Sequence, residues 1–261
     1  VVLDSSKKTG IANIIRFYSA WRGMNSGLAG IFAITIIGVF PLVFRDYYFD
    51  ILNFKTIFYY NTVIILAVVF LIVNGTFLIL SIYLGCERPA GRGRQICASD
   101  WSMLDFILIA GRSTLQSATP AAALLGNDGR YSGLLIWIAY AFMYFAVRRS
   151  LRLRQWYLDL FLGAGMGACI IGILQYFDID PIGFKNLMDP GQYYMFTSTI
   201  GNINTYTSYA AMLFGASVLL LFTEEVRIRK TWYLFCMSVS FAALITGMSD
   251  NAYLAIFALI G

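Results

Sequence analysis

The chain alternates long apolar stretches with short polar gaps over its 261 residues. Apolar stretches occupy residues 27–44, 57–85, 102–118, 131–148, 155–177, 204–222 and 231–248, and an eighth opens at 251. A helix crossing a bilayer needs about 20 predominantly apolar residues. In lipid its backbone polar groups must be satisfied within the segment. The pattern therefore predicts an all-α fold: one polytopic transmembrane helix bundle over residues 1–261, with about seven complete spans and a truncated eighth. The third stretch is the weakest. It is short, carries Arg112, Ser113, Thr114, Gln116 and Ser117, and ends near Pro120, so a tilted or partly re-entrant element is expected there. Gly163, Gly165, Gly167 and Gly172 give the fifth stretch a small-residue face suited to close helix packing.

The polar gaps are sorted by charge. Fourteen of the nineteen Lys and Arg residues fall in alternate gaps: Lys7, Lys8, Arg16 and Arg22; Arg88, Arg92 and Arg94; Arg148, Arg149, Arg152 and Arg154; Arg227, Arg229 and Lys230. The other gaps hold Arg45, Lys55, Arg112, Arg130 and Lys185. Such a bias in short loops sets orientation in a membrane, with basic residues on the cytoplasmic side. Residues 1–26 are thus expected to be a cytoplasmic N-terminus, and residues 178–203 a long outer loop. A bacterial cytoplasmic (inner) membrane is the expected location.

Composition narrows the chemistry. Apolar residues make up 59% of the chain and charged residues 13%, against about 25% charged in soluble domains. There is no His, which removes the commonest general base and the commonest zinc ligand. Cys86, Cys97, Cys169 and Cys236 show neither a metal-ligand spacing nor a disulfide framework. No metal and no cofactor are expected. The chain ends at Gly261 inside an apolar run of about half a span's length. It is expected to be the N-terminal part of a longer membrane protein.

Three places on the expected outer face gather polar groups. In the turn before residue 134, Asn127-Asp128-Gly129 is turn chemistry. Arg130 follows it, on the side where basic residues are scarce. Its guanidinium can fork onto phosphate oxygens, or it can snorkel or pair with Asp128. The loop from Asp178 closes with Thr197-Ser198-Thr199-Ile200-Gly201-Asn202-Ile203-Asn204-Thr205-Tyr206. That segment suits contact with a sugar or a headgroup, and a helix N-terminus there can meet an anion. Alternatively, Asn202, Asn204 and Thr205 simply cap the sixth stretch. Thr246-Gly247-Met248-Ser249-Asp250-Asn251-Ala252-Tyr253 reads as a tight turn with an N-cap. Arg112, costly within a span at about 2.5–3.5 kcal/mol, is a further candidate and is expected to face a polar interior.

Together these segments carry a resemblance. Leu125-Gly126-Asn127-Asp128-Gly129-Arg130-Tyr131-Ser132-Gly133-Leu134-Leu135 looks like the LFG-x-x-x-R-x-x-G-LL stretch of bacterial O-antigen ligase-like proteins. Ser198 to Tyr206 resembles their S-T-x-G-N-x-N-x-[YF] signature, and Thr246 to Leu254 their T-G-S-R-G-A-x-L element, in the same order. The resemblance covers roughly residues 100–261. It departs at Asp250, where many members carry Arg.

The resemblance implies a bundle of ten or more helices that transfers a glycan, without a metal, from an undecaprenyl-diphosphate carrier. The acceptor is a glycan or protein hydroxyl, the partners are the carrier-linked glycan and membrane lipid, and no nucleic acid is involved. It implies that Arg130, with Arg112 behind it, helps hold the carrier diphosphate. Gly201, Asn202 and Asn204 would shape the donor site, with Ser249 beside it. The catalytic groups, a His among them, are expected in a late outer loop beyond Gly261. The competing classes are a transporter or flippase for a lipid-linked or small solute, whose mark is paired broken helices in two related halves, and a structural subunit of an envelope-assembly complex.

Overall fold

The computed structural model describes residues 2–85, 96–127 and 131–260, and within them the side chains from Asn13 onward except Ile256, Leu259 and Ile260. The described residues are mostly helical, with two short strands. The elements are α1 (Val2–Ile34), α2 (Ile51–Tyr83), α3 (Ala98–Leu115), α4 (Pro120–Leu125), α5 (Leu134–Ser150), α6 (Gln155–Tyr176), β1 (Phe196–Thr197), β2 (Gly201–Asn202), α7 (Ile203–Thr223), α8 (Arg227–Gly247) and α9 (Asp250–Ile260). Among the described residues, four helical segments are long and apolar enough to cross a membrane: Asn13–Val39, Ile51–Tyr83, Gln155–Tyr176 and Ile203–Thr223. Side chains such as Leu71 (71% exposed) and Ile82 (72%) on α2 leave an apolar surface that suits lipid.

Four qualifying spans stand against the seven expected, and the reasons are local. α5 has 17 residues and the described part of α9 has 11. α3 carries Asp100, Asp105 and Arg112, and the first turn of α8 holds Arg227, Arg229 and Lys230. The first stretch also differs in its bounds. Helix starts at Val2, so residues 2–26 continue into the first stretch as one helix, and it ends at Val39 rather than 44. Pro41 explains the end, since proline has no N–H to donate and its ring clashes with the carbonyl four residues back. The last turn, Thr35–Val39, widens to π geometry, with Phe40 N–H donating to Thr35 O at 2.8 Å. α2 begins six residues earlier than its apolar stretch. The Asp50 carbonyl accepts the first helical bond from Phe54 N–H, which carries Asn53, Lys55 and Thr56 into the helix.

The chain packs as two compact units: residues 1–33 with 57–153, and residues 34–56 with 154–261. In the first, α1 and α2 are joined by a polar rung. Trp21 Nε1 donates to Asn74 Oδ1 and Asn74 Nδ2 donates to Asn25 Oδ1, both at 2.9 Å. Interhelical amide bonds of this kind hold apolar helices in register, at about 1 kcal/mol each. α3 meets α5 through Asp100, which is 2% exposed, ion-pairs with Arg148 and accepts from Tyr144 Oη at 3.2 Å. Removing Arg148 strands that carboxylate. Arg148→Met is expected to destabilise the first unit by about 1–3 kcal/mol, below the usual cost for a buried pair because Arg148 keeps some solvent contact. Thermal unfolding in detergent checks this, and an unchanged midpoint would count against the packing described.

In the second unit, α6 lies against α7, and its small-residue face explains how closely. A Cβ added at Gly165 would collide with Leu213, and one at Gly172 would sit 2.5 Å from Tyr206 Cζ. Leu162, Met166, Cys169, Tyr206, Leu213 and Leu244 form the core of this unit.

Candidate functional site at the hairpin end of the second unit

The 178–203 segment is an ordered cap rather than an open loop. Asp189 Oδ1 accepts from Gly191 N–H and starts a 3₁₀ turn, Pro190–Met195. β1 and β2 then pair antiparallel, Phe196 with Asn202 and Thr197 with Gly201. The turn between them is tight, and it needs backbone in the left-handed region at Ser198 (φ 59°) and at Gly201 (φ 95°). Glycine is apt at the second position for another reason: a Cβ there would stand 3.0 Å from Ile51 Cγ2.

The hairpin tip turns inward. Ser198 and Thr199 are 0% and 2% exposed. Ser198 Oγ donates to Ala168 O at 2.6 Å, eight residues before the end of α6, so the tip reaches about 12 Å along that helix. Thr199 Oγ1 donates to Pro41 O at 2.7 Å. Irregular backbone at such depth is tolerated where protein surrounds it and its polar groups are matched. Gln175 does most of the matching. Its Oε1 accepts from Ser198 N–H at 2.7 Å and from Tyr48 Oη at 3.2 Å, and its Nε2 donates to Asp180 Oδ1 at 3.1 Å. Asp180 Oδ2 also accepts from Lys185 N–H at 2.8 Å. Tyr48 stacks between Phe184 and Phe196, with centroids at 4.9 and 5.4 Å, and burial pushes its phenol above the ordinary value.

Acidic groups nearby are also engaged. Asn53 and then Arg45 hold the Asp50 carboxyl below its ordinary range. Arg45 pairs with Asp50 and lies 4.0 Å from Asp46. At the opposite end of α6, Gln155 donates to Glu224 Oε2 at 2.6 Å and to Tyr233 Oη at 3.1 Å. The backbone N–H of Val226, with Gln155, keeps Glu224 below its ordinary value.

The candidate residues sort as follows. Asn202 is the N-cap of α7, and its Oδ1 accepts from Asn204 N–H at 2.9 Å and Thr205 N–H at 3.2 Å. Those donors are therefore not open to an anion, and capping is the role the geometry displays. Ser249 is buried; its Oγ shares a hydrogen bond with Thr207 Oγ1 at 2.8 Å and accepts from Ala252 N–H at 3.3 Å. It ties the start of α9 to α7, so two of the three polar segments meet here. Asp250 opens α9, where a negative charge suits the helix dipole. The Asn204 side chain is exposed, with no hydrogen-bond partner among the described residues. Arg112 is exposed in the last turn of α3, in the first unit, rather than enclosed. Arg130 lies outside the described residues.

Sequence reasoning did not single out Gln175, and it placed Lys55 only among the basic residues of the outer gaps. Gln175 was visible as a lone amide near the end of an apolar run, but its three partners come from distant segments. Among the described residues, no cluster of His, Cys, Asp and Glu could hold a metal ion. The fold defines a mostly helical protein with membrane-spanning character. No protein-family model, no curated protein and no solved structure matches the chain.

Proposed function

We propose that the protein is an integral membrane glycosyltransferase of the O-antigen ligase or polymerase type, acting in cell-surface polysaccharide synthesis. It takes a glycan from undecaprenyl diphosphate and gives it to a sugar or protein hydroxyl. The observation that carries the reading is the run of three motif-like segments in order, Leu125 to Leu135, Ser198 to Tyr206 and Thr246 to Leu254. Support comes from Thr207, the residue after the second segment, bonding Ser249 in the third, with the exposed Asn204 amide at the same end of α7.

In the proposed reaction the acceptor oxygen attacks the anomeric carbon of the donor sugar and gives up its proton. The bond from that carbon to the phosphate oxygen breaks, and undecaprenyl diphosphate leaves. Arg130 meets the charge that grows on the leaving group, as fixed donors do where charge develops. A charge-assisted contact of this kind contributes about 1.5–3 kcal/mol, or about 10- to 150-fold in rate. Arg130→Ala, at unchanged protein level, is expected to lower glycan transfer in native membranes by that factor, and Arg130→Lys by less, since lysine cannot fork. Transfer at the wild-type rate in Arg130→Ala would remove the assignment.

A second reading, a transporter or flippase, draws on one observation. The first spanning helix breaks at its π turn and Pro41 beside an inward-turned hairpin, and broken helices at substrate sites mark transporters. Movement of an intact glycan carrier without any transfer product would favour it.

A further inference from the structure

Lys55 is a buried cation whose counter-charge is missing among the described residues. It is 7% exposed. Its Nζ reaches Pro41 O at 3.5 Å and lies 5.3 Å from the centroid of the Phe40 ring. An ammonium carries three donors, and among the described residues this one makes a single long hydrogen bond, to a carbonyl that Thr199 already takes at 2.7 Å. No carboxylate among the described residues lies within ion-pair distance of it. The acids closest in sequence or at the same cap are engaged elsewhere: Asp50 with Arg45 and Asn53, Asp180 with Gln175 and the Lys185 backbone.

A charge removed from water is retained where it is paired, and an ionisable residue in a spanning helix points to a functional partner. The end of the broken first helix offers part of that partner, since cations are stabilised beside helix C-termini. It does not supply a full negative charge. Lys55 sits four residues into α2, about 6 Å from the start of that helix. That depth suits the phosphates of lipid headgroups if α2 spans the bilayer. Drawing the ammonium away from Pro41 would leave that carbonyl bonded to Thr199, so a ligand can recruit Lys55 without orphaning a buried acceptor.

We propose that Lys55, beside the Thr199 hairpin tip, is a binding site for a phosphate oxyanion, with the phosphate group of a lipid as its ligand. The site goes beyond glycan transfer and does not depend on it.

The test uses the whole chain in maltoside micelles, which carry no phosphate, probed with undecaprenyl diphosphate, phosphatidylglycerol and inorganic pyrophosphate. Wild type is expected to bind at least one lipid probe, with Lys55→Met weakening it tenfold or more and Lys55→Arg within about threefold of wild type. Binding of pyrophosphate alone would show that free phosphate is recognised and would overturn the lipid assignment. Failure of all three probes, or equal binding by Lys55→Met, overturns the site. Should Lys55→Met not fold, reductive methylation of wild type read by mass spectrometry decides: a bound probe should protect Lys55, and equal labelling with and without it overturns the proposal. Glycan transfer that survives loss of this binding would leave the proposed function standing, and binding without transfer would do the reverse.

Discussion

Gln175→Leu is expected to release the hairpin from the second unit. Leucine matches the glutamine in size but can neither accept from Ser198 N–H and Tyr48 Oη nor donate to Asp180. Each buried group left without a partner costs about 1–3 kcal/mol. Two such groups, Ser198 N–H and Tyr48 Oη, put the loss at about 2–4 kcal/mol after the added apolar burial of leucine. Amide exchange at Ser198 should then quicken by about 30- to 1,000-fold, while amides in the middle of α7 stay protected. Hydrogen exchange read by mass spectrometry on hairpin peptides measures this. Wild-type protection in Gln175→Leu would mean that the tip is held by something other than this amide.

Gly172→Leu and Gly163→Leu should separate sharply although both lie on α6. At Gly172 the first added carbon would already overlap the phenol of Tyr206, which is 1% exposed and donates to Cys169 O at 3.1 Å. The helix and the ring cannot both keep their places. The expected cost is about 3 kcal/mol, at the upper end for overpacking, because the displaced hydroxyl also loses its acceptor. At Gly163 nothing stands within 4 Å of the added carbon. Leucine there should be neutral or mildly stabilising, since glycine is a poor helix former. Thermal unfolding of the two variants in one detergent tests the packing of α6 on α7. Equal midpoints would show that this face is not the contact.

Much of the helical layout was legible because charge and turn residues bracket it. Leu151 to Arg154 separates α5 from α6, and Glu224 to Val226 separates α7 from α8, so those helices lie within a few residues of their apolar stretches. The small-residue face of α6 was legible in part: Gly165 and Gly172, seven residues or about two turns apart, share the side that meets α7, whereas nothing stands within 4 Å of a Cβ at Gly163. The break at Pro41 was not, since an apolar run hides a change of hydrogen-bond pattern. Apolar content also marked α3, α5 and α8, which are shorter or carry more charge than the four helices long and apolar enough to cross.

At the candidate site, the polar residues were legible and their direction was not. Ser198 and Thr199 sit in a segment that reads as a surface, yet they face inward, because Ala168 O and Pro41 O wait for them on distant parts of the chain. Asn202 and Ser249 have the local spacing of helix caps, and the structure uses them so. By position Lys55 lies close in sequence to Asp46 and Asp50. The structure gives those acids to Arg45 and turns Lys55 toward Pro41. Spacing along the chain fixed which residues could meet, while the choice among partners came from the fold of residues 40–56 against the hairpin.

The proposed glycan transfer is tested most directly by following the fate of the donor. Proteoliposomes carrying the protein would be given undecaprenyl diphosphate bearing a labelled oligosaccharide, together with a glycolipid or protein acceptor. The account predicts label covalently joined to the acceptor and free undecaprenyl diphosphate released one for one, with both reduced in Arg130→Ala. Recovery of the donor intact on the far side of the bilayer, with no label on any acceptor, would contradict it.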